Sequence, residues 1–116
     1  MFLASGAYMR CVAHPAELPD GRHLMFVSRH IYILANALAH LALASYVTPR
    51  PSRAGRAAQW IGSALLALSS LLLIGAFAFE PMAGRARTAV STYGLFALLP
   101  GVLLHFGPAL RRRPAS

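Results

Sequence analysis

The stretch Ala57 to Phe79, "AAQWIGSALLALSSLLLIGAFAF", decides the fold class. It holds no charged side chain, and as a helix it is long enough to cross a bilayer core of about 30 Å. Thr88 to Leu110, "TAVSTYGLFALLPGVLLHFGPAL", has the same character, with one histidine towards its far end. A third span runs from roughly Val27 to Val47, with Arg29 near its start and "TPRPSR" after it. Pro49 and Pro51 end that helix, because proline has no amide hydrogen and disfavours helix at the residue before it.

Composition agrees with these runs. Of the 116 residues, 57% are hydrophobic and 12% are charged, against about 25% charged in an ordinary soluble domain. A chain this short has too little interior to hide that much apolar surface from water. The expectation is an all-α integral membrane bundle of three full transmembrane helices, about residues 27–47, 57–79 and 88–110. A short N-terminal apolar helix over about residues 1–13 makes a four-helix arrangement. "MFLASGAYM" is too short to span, reaching only about 14 Å at 1.5 Å per residue, and has no basic start of the kind a signal peptide carries. Residues 1–116 read as one membrane domain. Residues 14–26 form an extramembrane loop with a Pro-Asp-Gly turn, and 111–116 form a basic tail.

The net charge of +8 comes from eleven arginines and no lysine, a usage we assign to coding bias rather than to mechanism. The arginines cluster between apolar runs, as "RPSRAGR", "GRAR" and "RRR", which is how basic loops flank membrane spans. No basic stripe alternates with aromatic residues as a single-strand binding face requires, so nucleic acid is not an expected partner. With four helices, Arg50, Arg53, Arg56 and Arg111 to Arg113 share one side, and Arg10, Arg22, Arg29, Arg85 and Arg87 the other. The compact tail places the N- and C-termini in the cytoplasm of a bacterial-type inner membrane.

Each span carries its polar or small residues on one face, at the i, i+4, i+7 spacing of a helix. The first reads Arg29, Ile33, Asn36, His40, with Tyr32 at its edge; the second Gln59, Ser63, Leu66, Ser70; the third Arg87, Ser91, Gly94, Leu98, Gly101, His105. Helices in lipid associate through close packing of small residues and interhelical hydrogen bonds. Arg29, Asn36, Gln59, Ser63, Ser70, Ser91, Gly94 and Gly101 therefore form the expected interhelical seam. Arg29 is read as an anchor reaching the membrane surface, Glu80 as an acid just beyond its helix that pairs with Arg85 or Arg87, and Pro100 as a kink.

Two constellations offer ligands. His40 and His105 lie on interior stripes towards one membrane side, and neutral imidazoles from facing helices suit haem b. Around the first loop, Cys11, His14, His23 and His30, with Met9 and Met25, supply the soft donors that select copper in its reduced state. Ser63 or Ser70 is placed to meet His40 across the seam. With one cysteine, neither an internal disulfide nor a paired-cysteine zinc motif is available. No acid lies inside a span to serve ion transport, and no nucleophile elbow, metalloprotease or phosphate-binding motif is present. The leading expectation is a non-catalytic accessory subunit or assembly factor, without a cofactor. It lives in the lipid bilayer beside other membrane subunits or copies of itself. A haem- or copper-binding electron-transfer or metal-handling protein is the alternative.

The topology predicts that Cys11 faces away from the cytoplasm. A membrane-impermeant maleimide added to intact spheroplasts should label it without lysis, and a cysteine placed at Ser52 should label only after lysis. The opposite pattern inverts the orientation.

Overall fold

The computed structural model describes residues 2–14, 17–83 and 89–106. Arg85, Arg87 and the 111–113 arginines, on which part of the charge reading rests, lie outside them. Among the described residues all regular secondary structure is helical, without strands. Helix α1 spans Phe2–Tyr8 and runs on as a π-helical turn, Met9–Ala13. Helices α2 (Asp20–Tyr46), α3 (Arg53–Ala83) and α4 (Ala89–Phe106) are each long and apolar enough to cross a membrane. At 1.5 Å per residue, the 18 residues of α4 give about 27 Å.

Helix α3 begins at Arg53, four residues before the expected start, and two further helix limits differ from expectation for a physical reason. Helix α2 starts seven residues early because "PDG" opens a helix instead of making a free turn. Pro19 stands at its N-cap with φ −53° and ψ 143°, and its carbonyl accepts the amides of Arg22 and His23. Asp20 in the first turn complements the positive end of the helix dipole. Helix α2 ends at Tyr46, with Val47 already extended ahead of the two prolines. Helix α3 does not stop at Phe79 but carries Glu80 and Pro81 to Ala83, because the Glu80 charge is satisfied inside the bundle.

Helix α3 is central: it packs most extensively on α4 and next on α2, while α2 and α4 touch little. It therefore has two inward edges, and the adjacent serines 69 and 70 serve one each. Ser69 Oγ donates to the Gly94 carbonyl of α4 at 2.8 Å, and Ser70 Oγ accepts from Asn36 Nδ2 of α2 at 2.8 Å. The buried line of α3 is Gly62, Leu66, Ser69, Leu73, Ala76 and Glu80, one residue round from the Gln59–Ser70 row. Phe26, Ile33, Leu73 and Phe77 form the apolar core.

Helix α1 lies against the first turns of α2. The Ser5 hydroxyl donates to the Phe2 carbonyl, so His30 Nδ1–H donates to Ser5 Oγ at 2.9 Å, and the Phe2 ring stacks on the imidazole with centroids 4.2 Å apart. Tyr8 meets Phe77 edge-on at 6.0 Å, tying α1 to α3 as well.

Arg29 is not a surface anchor. Its side chain is buried, and Nε and Nη2 reach Glu80 Oε2 at 2.9 and 2.8 Å. Glu80, 2% exposed, uses its other oxygen, Oε1, to accept the Ser91 amide at 2.9 Å. That amide is in the first turn of α4, where backbone donors have no partner within the helix. One carboxylate thus joins α2, α3 and the start of α4. Among the described residues its ionic partner is Arg29 of α2; the expected partners Arg85 and Arg87 lie outside them.

Removing one member of a buried ion pair leaves the other charge uncompensated, at about 3–5 kcal/mol. Glu80→Ala should therefore lower stability by that order in a denaturant or thermal titration of the solubilised protein. The double variant Arg29→Met, Glu80→Leu should lose less than Glu80→Ala alone. Equal or greater loss in the double variant would show that the pair is stabilising beyond mutual charge compensation.

Candidate functional site

At the end of the bundle away from Glu80, the α2–α3 connection and the end of α4 are tied together. Gln59 Nε2 donates to the Thr48 carbonyl at 2.8 Å, and its Oε1 accepts the Arg50 amide at 3.1 Å. Gln59 thus bonds the connecting loop rather than a neighbouring helix. The Arg50 guanidinium reaches across to α4, where Nη2 donates to the carbonyls of Leu104 at 3.0 Å and His105 at 2.5 Å. A cation on the last carbonyls of a helix satisfies acceptors left open there and complements the negative end of the dipole.

Just inside this clamp is a cavity of about 300 Å³, lined by His40, Ser63 and His105 and by Leu43, Val47 and Leu66. The two histidines singled out in the sequence thus come to one cavity from different helices, α2 and α4. His40 Nδ1 lies 2.9 Å from the carbonyl of Asn36 and His105 Nδ1 2.8 Å from that of Gly101. A carbonyl only accepts, so in both rings Nδ1 carries the hydrogen and Nε2 of the neutral imidazole is an acceptor. Ser63 Oγ stands 3.3 Å from His105 Nε2 and donates to it. His40 Nε2 has no hydrogen-bond partner among the described residues. Ser63 and His40 face the same cavity, but Ser63 bonds His105 and Ser70 bonds Asn36.

Close approach of α3 and α4 holds His105 in place. A methyl built on Gly62 would come within 2.6 Å of the His105 ring and 3.0 Å of the Gly101 carbonyl. One on Gly101 would come within 3.0 Å of Leu66, and one on Gly94 within 2.8 Å of Leu73. Gly62 escaped the sequence reading because it is one residue away from the Gln59–Ser63 row. Its i, i+7 relation to Ser69 was the available signal.

The loop donors are placed apart. Cys11 and His14 are exposed, and His14, at φ 40°, closes the π-helical turn through its amide bond to the Met9 carbonyl. His30 is held by Ser5 and Phe2, and Met25 is buried. Among the described residues no three of the histidine, cysteine and acidic side chains gather within reach of one metal ion. No family model, curated protein or solved structure matches this chain.

Gly62→Ala should force α3 from α4 and cost about 1–3 kcal/mol, the range for overpacking a close contact. Gly75→Ala, where nothing lies within 4 Å of the added carbon, should leave the melting temperature unchanged or raise it slightly. Equal melting temperatures for the two variants would remove the close contact from the account.

Proposed function

We propose that this protein is an integral inner-membrane bundle acting as a non-catalytic accessory subunit or assembly factor of a larger membrane complex. The supporting observation is the division of its surface from its interior. Large apolar side chains cover the outside along α3 and α4, with Trp60 78%, Leu71 69%, Phe79 74% and Phe96 69% exposed. Such a surface suits lipid or apolar partner helices and is too extensive for water. Inside, Arg29, Glu80, Ser69 and Ser70 bond one helix to another, which is the use of polar groups that holds membrane helices together.

This division supports a structural role. The strongest charges are spent on fixing the helices, and the described polypeptide outside the three long helices consists of α1 with its π turn and short connections. Action through a larger neighbour belongs to the same reading. The cytoplasmic C-terminus belongs to the same proposal and rests on the distribution of arginines.

Native solubilisation followed by cross-linking from photoreactive residues at Leu71 and Phe79 tests this reading. The expected result is one membrane protein cross-linked at fixed stoichiometry, whose assembled amount falls when this chain is deleted. Cross-links to lipid alone, with no complex changed by deletion, would overturn it.

A further inference from the structure

We propose that the cavity between α2, α3 and α4 binds the hydroxylated ring of a lipid-soluble quinol, with His40 and Ser63 as its hydrogen-bonding partners. The inference goes beyond the structural role above and does not depend on any partner protein.

Hydrogen-bond polarity defines what the cavity accepts. Because both Nδ1 atoms donate to carbonyls of their own helices, both Nε2 atoms are acceptors. Ser63 gives its single hydrogen to His105, which leaves its oxygen lone pairs as acceptors too. Asn36 lies one turn before His40 on the same helix face, and its buried Oδ1 has no partner among the described residues; it does not line the cavity. This level of the bundle is therefore rich in acceptors and short of donors. A ligand that fits must bring hydrogens.

Three further features narrow its class. The rest of the lining, Leu43, Ala44, Val47 and Leu66, is aliphatic, so the body of the ligand is apolar. No charged side chain lines this cavity, and a net charge placed among such groups carries a large desolvation cost, so the ligand is neutral. His40 is exposed on the flank of α2, so the cavity can be reached from outside the bundle. An apolar ring with hydroxyl donors and an alkyl tail meets all three conditions. An axially ligated metal or haem iron fits less well, since it would sit about 2.0–2.1 Å from Nε2 and would have to displace the Ser63 hydroxyl from His105.

Polarity also separates the reduced ligand from its oxidised form. A quinol donates, whereas a quinone offers only carbonyl acceptors and would set acceptor against acceptor. The site should distinguish the two, since an acceptor set against an acceptor forms no hydrogen bond.

The test uses the full chain in phosphatidylcholine nanodiscs, titrated anaerobically with decyl benzoquinol and, separately, with decyl benzoquinone. Trp60, the single tryptophan, lies beside Ser63 and His105 in an adjoining recess, so its fluorescence, corrected for absorption by the ligand, reports occupancy. Expected are saturable binding of the quinol about tenfold or more tighter than the quinone, and a loss of about tenfold in His40→Ala and in Ser63→Ala. Ala44→Phe, which fills the space, should abolish binding, and His23→Ala, remote from the cavity, should leave it unchanged. Melting temperatures identify any variant that fails to fold, and the quinol-to-quinone ratio of the unaltered protein stands without them. Equal affinity for the two forms, or quinol binding unchanged in His40→Ala and Ala44→Phe, would overturn the proposal. So would stoichiometric haem or copper that co-purifies with the protein and is lost in His40→Ala.

Discussion

The Glu80 carboxylate sets the geometry on which the other contacts depend. A charge enclosed by apolar side chains is tolerable only when paired and hydrogen-bonded, and Glu80 meets that condition from two directions. Arg29 of α2 neutralises it, and the Ser91 amide at the start of α4 occupies its second oxygen. Each bond constrains both the rotation and the height of a helix. Helix α2 must present Arg29 to α3, which turns Asn36 towards Ser70 two turns further on. The start of α4 must meet Glu80, which brings Gly94 to Ser69 and Gly101 to Gly62. The opposite end of the bundle is fastened differently, by Arg50 and Gln59 acting on backbone groups. Polar clamps at both ends hold a middle of small and apolar residues in register.

This arrangement explains why the cavity lies beside His105. Where α3 and α4 touch through Gly62 and Gly101, the missing side chain of Gly62 leaves the space that the His105 ring fills. The His105 ring is turned to the margin of that contact, towards α2, whose contacts with α4 are sparse. His40 flanks the same margin from α2. Neither ring is free to change tautomer without losing its bond to the carbonyl four residues earlier. The donor and acceptor pattern of the cavity is thus a property of two helices rather than of two mobile side chains.

The three long helices were legible because a run without charge and of bilayer length has few other physical explanations. The meeting of His40 and His105 was legible as well, since antiparallel spans bring the end of α2 and the end of α4 to one side. The Arg29–Glu80 pair was misread, although the same reasoning reaches it: a base near the start of α2 and an acid near the end of α3 lie at one level in an antiparallel hairpin. Proximity in sequence favoured Arg85 and Arg87, whereas the observed partner is 51 residues away. The stripe on α3 was rotated by one residue for a different reason. Polarity alone cannot tell a helix with one inward face from a central helix with two, and Ser69 and Ser70 point to different neighbours. The "PDG" segment is ambiguous in itself, because proline followed by aspartate opens turns and helices alike.

The contrast between the two clamps and the cavity just inside the Arg50 clamp bears on function. At the Glu80 end and at the Arg50 end, strong donors are matched to strong acceptors. Around His40 the balance fails, with an imidazole nitrogen and the Asn36 amide oxygen lacking donors among the described residues. In water such a deficit is trivial, because solvent supplies the missing hydrogens. In a bilayer it persists unless a ligand or a trapped water supplies them, since lipid tails offer no donor. A bundle held only for scaffolding gains nothing from acceptors at this level, and leucine at position 40 would pack against Leu43 and Val47 without leaving an unmet group. A donor that reaches this level, from a bound ligand or a trapped water, would complete the hydrogen bonding that the described residues leave open.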